Sequence, residues 1–344
     1  MGRRLNLGLT AGAVIAGVVA LSAASASAAR SGQVLLRRYQ PVTVLDKREL
    51  FAPTTVGSFV ADANLETQTA PGVWSLVSSQ PTPATLPTQP TAACVARALV
   101  PCFRLNQRDC TPKRGLAAEA CFRTDWLSPT PRSVVYGRVT HTPRQTVLQY
   151  WYFYYDDLYS YHYPPDSFIW DQHEGDWEAV TVLILRGSPR PSWVGYSQHC
   201  TGERRAWQDV PRWRGTTHPV ADEAIGSHAN DFAPGDHPIA PKCLPAQALE
   251  LLQEAGLAPP VDHSHPGPAY GPAGLAGVRS IEIRTVTATR PAWMAYIGIW
   301  GQSEYLHAPS PVGTRVSGTS PPSPPEHLLW QHPVTTVLAW PQTR

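Results

Sequence analysis

Thirty-six prolines punctuate the 344 residues, and they limit the fold more than any other feature of the sequence. Each fixes φ at roughly −65° and removes a backbone donor, so helix interiors and central strands must fit between them. Helix formers are sparse as well. Proline-rich stretches at 81–90 and 320–325 read as extended linkers or surface loops. The runs between have strand character: Ser133–Val139, Thr146–Tyr155, Trp177–Leu185, Trp193–Tyr196, Arg279–Ala288 and Ala292–Trp300 are β-branched or aromatic and end at Pro, Gly or charged turns. Thr146–Tyr155 and Trp177–Leu185 are apolar at both alternating positions, which predicts central strands covered on both faces. Only Pro245–Gly256 carries a helical period, through Leu249, Leu251, Leu252 and Ala255. The expectation is an all-β chain with minor α content, folded as an antiparallel β-sandwich.

The first residues read as an export signal. Arg3 and Arg4 precede an apolar stretch from Leu5 to Ala24, and Ala26-Ser27-Ala28 offers the small residues of a cleavage site. Residues 1–28 are therefore expected to be a signal peptide and 29–344 a single exported, extracellular domain. An uncleaved anchor is the competing reading of the same stretch. Cysteine usage agrees with export: six are present, an even number suited to three disulfides. Cys94, Cys102, Cys110 and Cys121 crowd together and are expected to pair among themselves, leaving Cys200 with Cys243. The surrounding stretch, about 80–125, reads as an irregular, disulfide-stapled insertion. Zinc binding by the first four lacks a C-x-x-C knuckle. The formal charge of +2, without a basic tract, argues against nucleic acid as a partner.

The chemistry concentrates in Gln172-His173-Glu174-Gly175-Asp176-Trp177-Glu178, which runs into the strand ending at Leu185. Residues two apart on a strand share a face, so Asp176 and Glu178 project together while Trp177 points the other way. Gly175 permits a tight backbone that lets His173 fold back towards them. The preceding strand ends in Tyr154-Tyr155-Asp156-Asp157, and if the two strands are neighbours, Asp156 or Asp157 reaches the same end of the sheet. Converging carboxylates raise one another's pKa or take up a cation. Oxygen-rich ligation with one nitrogen favours Mg²⁺ or Ca²⁺, then Mn²⁺, over zinc. A salt-bridged strand end with Arg186 as partner explains the spacing equally well. Tyr159, Tyr161 and Tyr163 alternate beside this site, as a platform for sugar rings or as a half-buried edge strand. Gly226-Ser227-His228-Ala229-Asn230 suggests a turn presenting His228 at an edge, with His237 nearby.

Several of these blocks occur in order along most of the chain: Lys47–Thr54, Gln149–Phe153, His173–Glu178, Gly226–Ala229 and Ile299–Gly301. Together they resemble the vacuolar protein sorting-associated protein 62-like family. Trp151-Tyr152-Phe153 through Asp156, followed by His173, Asp176, Trp177 and Glu178, is also similar to the necrosis- and ethylene-inducing-peptide-like cytolysins. That resemblance implies an actinoporin-like β-sandwich. It also implies a divalent cation held by Asp156, His173, Asp176 and Glu178, which helps bind the sugar head group of a sphingolipid. The heptapeptide departs from the cytolysin pattern at Gln172, Glu174 and Gly175.

Three functions follow. The first is a secreted, non-catalytic, monomeric protein whose cation site binds a carbohydrate or glycolipid head group, using Tyr159, Tyr161, Tyr163 and His228 as ligand contacts, with a peripheral membrane contact. The second is a metal-assisted hydrolase of phosphoesters or glycosides, with Glu174 or His173 moving protons beside His228. The third is a structural protein whose acidic cluster is neutralised internally.

Overall fold

In the computed structural model, residues 30–343 are described apart from 109, 111–115, 128–132, 164–166, 245–248, 251–252, 255, 257, 303–304, 308–313 and 317–319. Backbone alone is described for 116–119, 159–163, 167–172, 305–307 and 314–316. The expected export signal lies outside the described residues.

The two apolar runs expected at the centre become the longest elements. β6 (Gln145–Tyr163) and β7 (Ser167–Leu185) pair antiparallel from Gln145↔Leu185 to Tyr163↔Ser167. They occupy the middle of a six-stranded sheet in the order β16 (Glu282–Thr285), β5 (Val134–His141), β6, β7, β8 (Trp193–Gln198), β9 (Thr201–Ala206). Every pairing in it is antiparallel except β16 on β5.

Alternation along β6 and β7 sends side chains into two different layers. On one face Tyr150, Tyr152, Tyr154, Val180, Val182 and Tyr196 pack against Ala221, Phe232, Ile281 and, from a helix at 30–38, Leu36. That layer is built on a second, five-stranded sheet, β11 (Asn230–Asp231), β10 (Val220–Glu223), β1 (Val42–Asp46), β14 (Pro266–Gly271), β15 (Val278–Ser280). The two sheets face each other as a sandwich. Two of the phenols buried between them find backbone carbonyls: Tyr150 donates to Leu36 O at 2.8 Å and Tyr196 to Val220 O at 2.6 Å. On the other face Trp151, Phe153, Tyr155 and Trp177 meet a three-stranded sheet, β3 (Val73–Ser78), β2 (Ala63–Ala70), β4 (Phe103–Gln107), and the C-terminal residues Trp293, Trp300 and Trp330. Two further ladders join β12 (Gly235–Pro238) to β13 (Val261–Ser264) and β17 (Tyr305–His307) to β18 (Thr314–Val316).

The disulfides are Cys94–Cys102, Cys110–Cys121 and Cys200–Cys243, the four crowded cysteines pairing among themselves. The cysteine-rich stretch carries its own short elements, helices Ala92–Arg97 and Leu116–Trp126 around β4, and it contributes Leu99, Phe103, Leu105 and Phe122 to the core. No described helix is long and apolar enough to cross a membrane.

Three expectations need correction. Ala292–Trp300 is no strand: a 3₁₀ turn at Ala292–Ala295 leads into irregular chain. Trp293, Met294, Tyr296 and Trp300 all enter the same core, and a strand would have put Trp293 on the face opposite the other three. Arg279–Ala288 breaks at Ile281 into β15 and β16, which belong to different sheets. Residues 320–325 are no linker, because Trp300 N donates to Pro321 O at 2.9 Å and its indole to Ser323 Oγ at 3.0 Å, burying Ser320, Ser323 and Pro324. Of the expected helix 245–256, positions 249–250 and 253–254 are helical, and most of the remainder lies outside the described residues.

Trp177 ties the central sheet to this aromatic layer, its ring 4.7 Å from Phe153 and 5.9 Å from Trp293. Trp177→Ala should cost about 3–5 kcal/mol, read as a fall in the guanidinium midpoint at unchanged slope. A loss below about 1 kcal/mol would mean that this face does not hold the sheet.

Candidate metal centre

The site begins with one backbone angle. Gly175 sits at φ 63°, in the left-handed region, and a methyl group there would collide with the Trp300 carbonyl. This residue shifts the alternation of β7 by one. Glu174 therefore shares a face with Trp177, where its Oε2 accepts from the backbone N–H groups of Gln107 and Gln302, both at 3.0 Å. His173 turns to the face of Asp176. Register does the rest: Asp157 lies opposite His173, and Asp156 opposite Glu174.

Asp157, His173 and Asp176 consequently converge, with one ligand atom from each lying within 4.8 Å of the others. His173 Nε2 is 3.3 Å from Asp157 Oδ2. Its Nδ1 is 2.8 Å from Gly175 O, and a carbonyl can only accept, so Nδ1 carries the proton. A neutral ring must then present its lone pair from Nε2, the tautomer a metal-bound histidine needs. The Asp157, His173 and Asp176 side chains are 13%, 14% and 9% exposed, which keeps the centre within reach of solvent.

Behind this triad lies a buried second layer between the sheets. Glu178, next on the Asp176 face, accepts from the Ser197 hydroxyl, and burial followed by the Asp176 charge pushes its carboxyl well above the usual range. His228 packs flat on Tyr154, ring centroids 3.8 Å apart, with Nδ1 3.2 Å from Asp176 Oδ2 and Nε2 3.7 Å from Glu49 Oε1. Burial pulls its pKa down, but Glu49 and Asp176 together outweigh this and hold it well above the ordinary value. Glu49 is fixed by the N–H groups of Leu50, Phe51 and Gly226; burial opposes its charge, yet His228 and these donors leave its pKa lowered. Glu223 receives the Tyr154 hydroxyl, and burial raises it to about 8. At the rim, Asp262 accepts from Ser227 Oγ at 2.6 Å and lies 2.8 Å from His199 Nε2.

Of the residues expected to act, His173 and Asp176 meet, Glu178 stands directly behind, and Asp157 rather than Asp156 completes the triad; Asp156 is buried. His228, expected at an exposed edge, is fully buried: the turn is present, but the left-handed backbone at His228, φ 52°, aims the ring inward. His237 lies near Asp231 instead, 3.5 Å away. Arg186 sits at the opposite end of β7, paired through its N–H with Arg144 O. The side chains of Tyr159, Tyr161 and Tyr163 lie outside the described residues. Glu49, His199, Glu223 and Asp262 were not foreseen. They come from loops and strand ends scattered through the chain, and only their meeting makes them a group.

The sequence matches no protein-family model and no curated protein, and the structure matches no solved one.

Deeper between the sheets, Asp231 accepts from Gln198 Nε2 at 2.5 Å, while its Oδ2 is buried without a partner. Burial, then the charges of Asp262, Glu203 and Asp222, raise it to about 9. In the unfolded chain it ionises at about 3.9. Between these values the native state holds a proton that the unfolded state has lost, so stability falls as pH rises through the window. Asp231→Asn should raise the melting temperature measured in EDTA, with the gain widening from about pH 5 towards pH 8. A pH profile as steep as the parent's would show that Asp231 is not the proton holder.

Proposed function

We propose that this is a secreted, non-catalytic binding protein. Asp157, His173 and Asp176 hold a divalent cation, Glu178 stands behind them, and the ion's open positions take the hydroxyls of a carbohydrate or glycolipid head group. The observation that carries the reading is the convergence of two carboxylates and one imidazole whose proton is fixed on the far nitrogen. Two oxygen donors and one nitrogen suit Ca²⁺, Mg²⁺ or Mn²⁺, and three protein ligands leave room for oxygen from a bound molecule. The cation supplies charge that polarises and orients hydroxyls; the chain's own residues hold it and exclude bulk water from one side.

Three disulfides support export into an oxidising compartment. The sugar half of the reading is supported by the likeness of the His173–Glu178 block to the cytolysins. It is supported too by the arm of β6 that continues past Asp157 with Tyr159, Tyr161 and Tyr163 at alternate positions. Glu174, the proton carrier a hydrolase would need, is already committed to two backbone donors on the other face. A closed ionic cluster that binds nothing is favoured by one observation, the placement of His228 between Asp176 and Glu49, whose charges hold its pKa above the ordinary value.

Melting curves in EDTA, then after adding each divalent ion, separate these readings. An ion at a hundred times its Kd stabilises the native state by about 2.7 kcal/mol, several degrees in Tm. Asp176→Asn and Asp157→Asn should lose that shift, and glycan-array binding should appear only with the ion present. A parent protein indifferent to Ca²⁺, Mg²⁺ and Mn²⁺ would leave the closed cluster as the answer.

A further inference from the structure

The formal charge of +2 conceals a segregation. Among the described residues ten carboxylates are buried and no arginine or lysine is. The outer surface is therefore far more basic than the sequence total. Four of the exterior arginines, Arg37, Arg38, Arg212 and Arg214, lie where the end of the 30–38 helix meets the loop 207–218.

There each cation lies on an aromatic face. Arg38 Cζ is 5.3 Å from the Tyr39 ring centre, Arg212 5.3 Å from Trp207, and Arg214 5.6 Å from Trp213. Tyr39 and Trp207 touch edge to face at 5.5 Å, Arg212 donates to Trp207 O, and Thr217 Oγ1 donates to Arg38 O, so the pairs form one surface. Arg214 is held at φ 45°, a backbone that few residues other than glycine adopt, so its position is built rather than incidental. None of these arginines, nor the exposed Arg37, forms an ion pair with a described residue. Asp209 is the one acid on the loop.

A guanidinium laid on a ring has its in-plane N–H groups already oriented, and Arg212, which spends one on Trp207 O, keeps others for a grip on phosphate. We propose that this surface docks the protein on an anionic lipid bilayer through phosphate-bearing head groups. A bilayer is favoured over a dissolved polyanion because apolar and amphipathic groups share the face. Val34 of the same helix is 61% exposed, and Trp207 is half-buried, the placement in which an indole enters a membrane interface. The contact is separate from the cation centre and does not need it.

The test uses the full chain in EDTA, which removes any contribution from a bound divalent ion. Sedimentation with vesicles rich in phosphatidylglycerol should carry the protein down, pure phosphatidylcholine vesicles should not, and added salt should release it. Arg212→Gln and Arg214→Gln should each weaken binding about fivefold, with melting temperature as the check on folding. Arg37→Gln, whose side chain stacks on nothing, gives the same reading if the stacked positions prove needed for folding. Equal binding to neutral vesicles, insensitivity to salt, or full binding by all three variants would overturn the proposal. Retention on heparin without vesicle binding would overturn it too, and would assign the surface to a polyanionic polymer.

Discussion

The β6–β7 ladder is the constraint from which the rest of the molecule follows. Its alternating side chains fill two different layers, so this one antiparallel pair must be covered by a sheet on one side and by an aromatic assembly on the other. Neither cover is continuous in the chain. Strands from 42–46, 220–223 and 266–271 supply the first, and 51–122 with 293–340 supply the second. The acidic block midway along β7 is consequently surrounded by chain from distant segments, Glu49, Gly226 and Gln302 among it. A single left-handed glycine then decides which of its residues meet.

Burying so many carboxylates in one place is costly unless their charges are compensated or removed. Both devices are present. Glu49 and Asp176 flank His228, an ionic arrangement in which one imidazolium stands between two carboxylates, and the backbone donors around Glu49 reinforce it. Glu178 and Glu223 take the other course: burial pushes both carboxyls up, Glu223 to about 8, and they accept hydroxyl hydrogen bonds from Ser197 and Tyr154. The outer group of Asp157, His173 and Asp176 differs in lying nearer solvent, with the proton of the His173 ring placed on Nδ1.

The central strands were legible because a short run that is apolar at both alternating positions fits a strand with a layer packed on each side and little else. That the four crowded cysteines pair among themselves and Cys200 with Cys243 was legible from their spacing, though not which of the four joins which, and the Asp176–Glu178 pair followed from period two. What the sequence left open had a common physical cause. Choosing Asp157 over Asp156 requires knowing that Gly175 shifts the alternation, a matter of one φ angle. Placing His228 inside requires the rigid turn that reverses its side chain. The aromatic run 292–300 has strand composition, yet four of its side chains share one core, which only the packing of Trp177, Trp300 and residues 320–324 imposes.

Charge shows the same dependence on three dimensions. Summed over the chain, acids and bases nearly cancel, and on that sum a polyanionic surface is a poor partner. The sum gives a carboxylate enclosed between sheets and an arginine on the exterior equal weight. Inside, carboxylates are met by histidines, by Arg48, by backbone donors or by their own protons. Outside, the guanidiniums around the 207–218 loop face water, held over tryptophan and tyrosine rather than against an acid. What an approaching molecule meets first is the exposed set, so the fold that collects acid around Asp157, His173 and Asp176 also leaves the opposite charge on display.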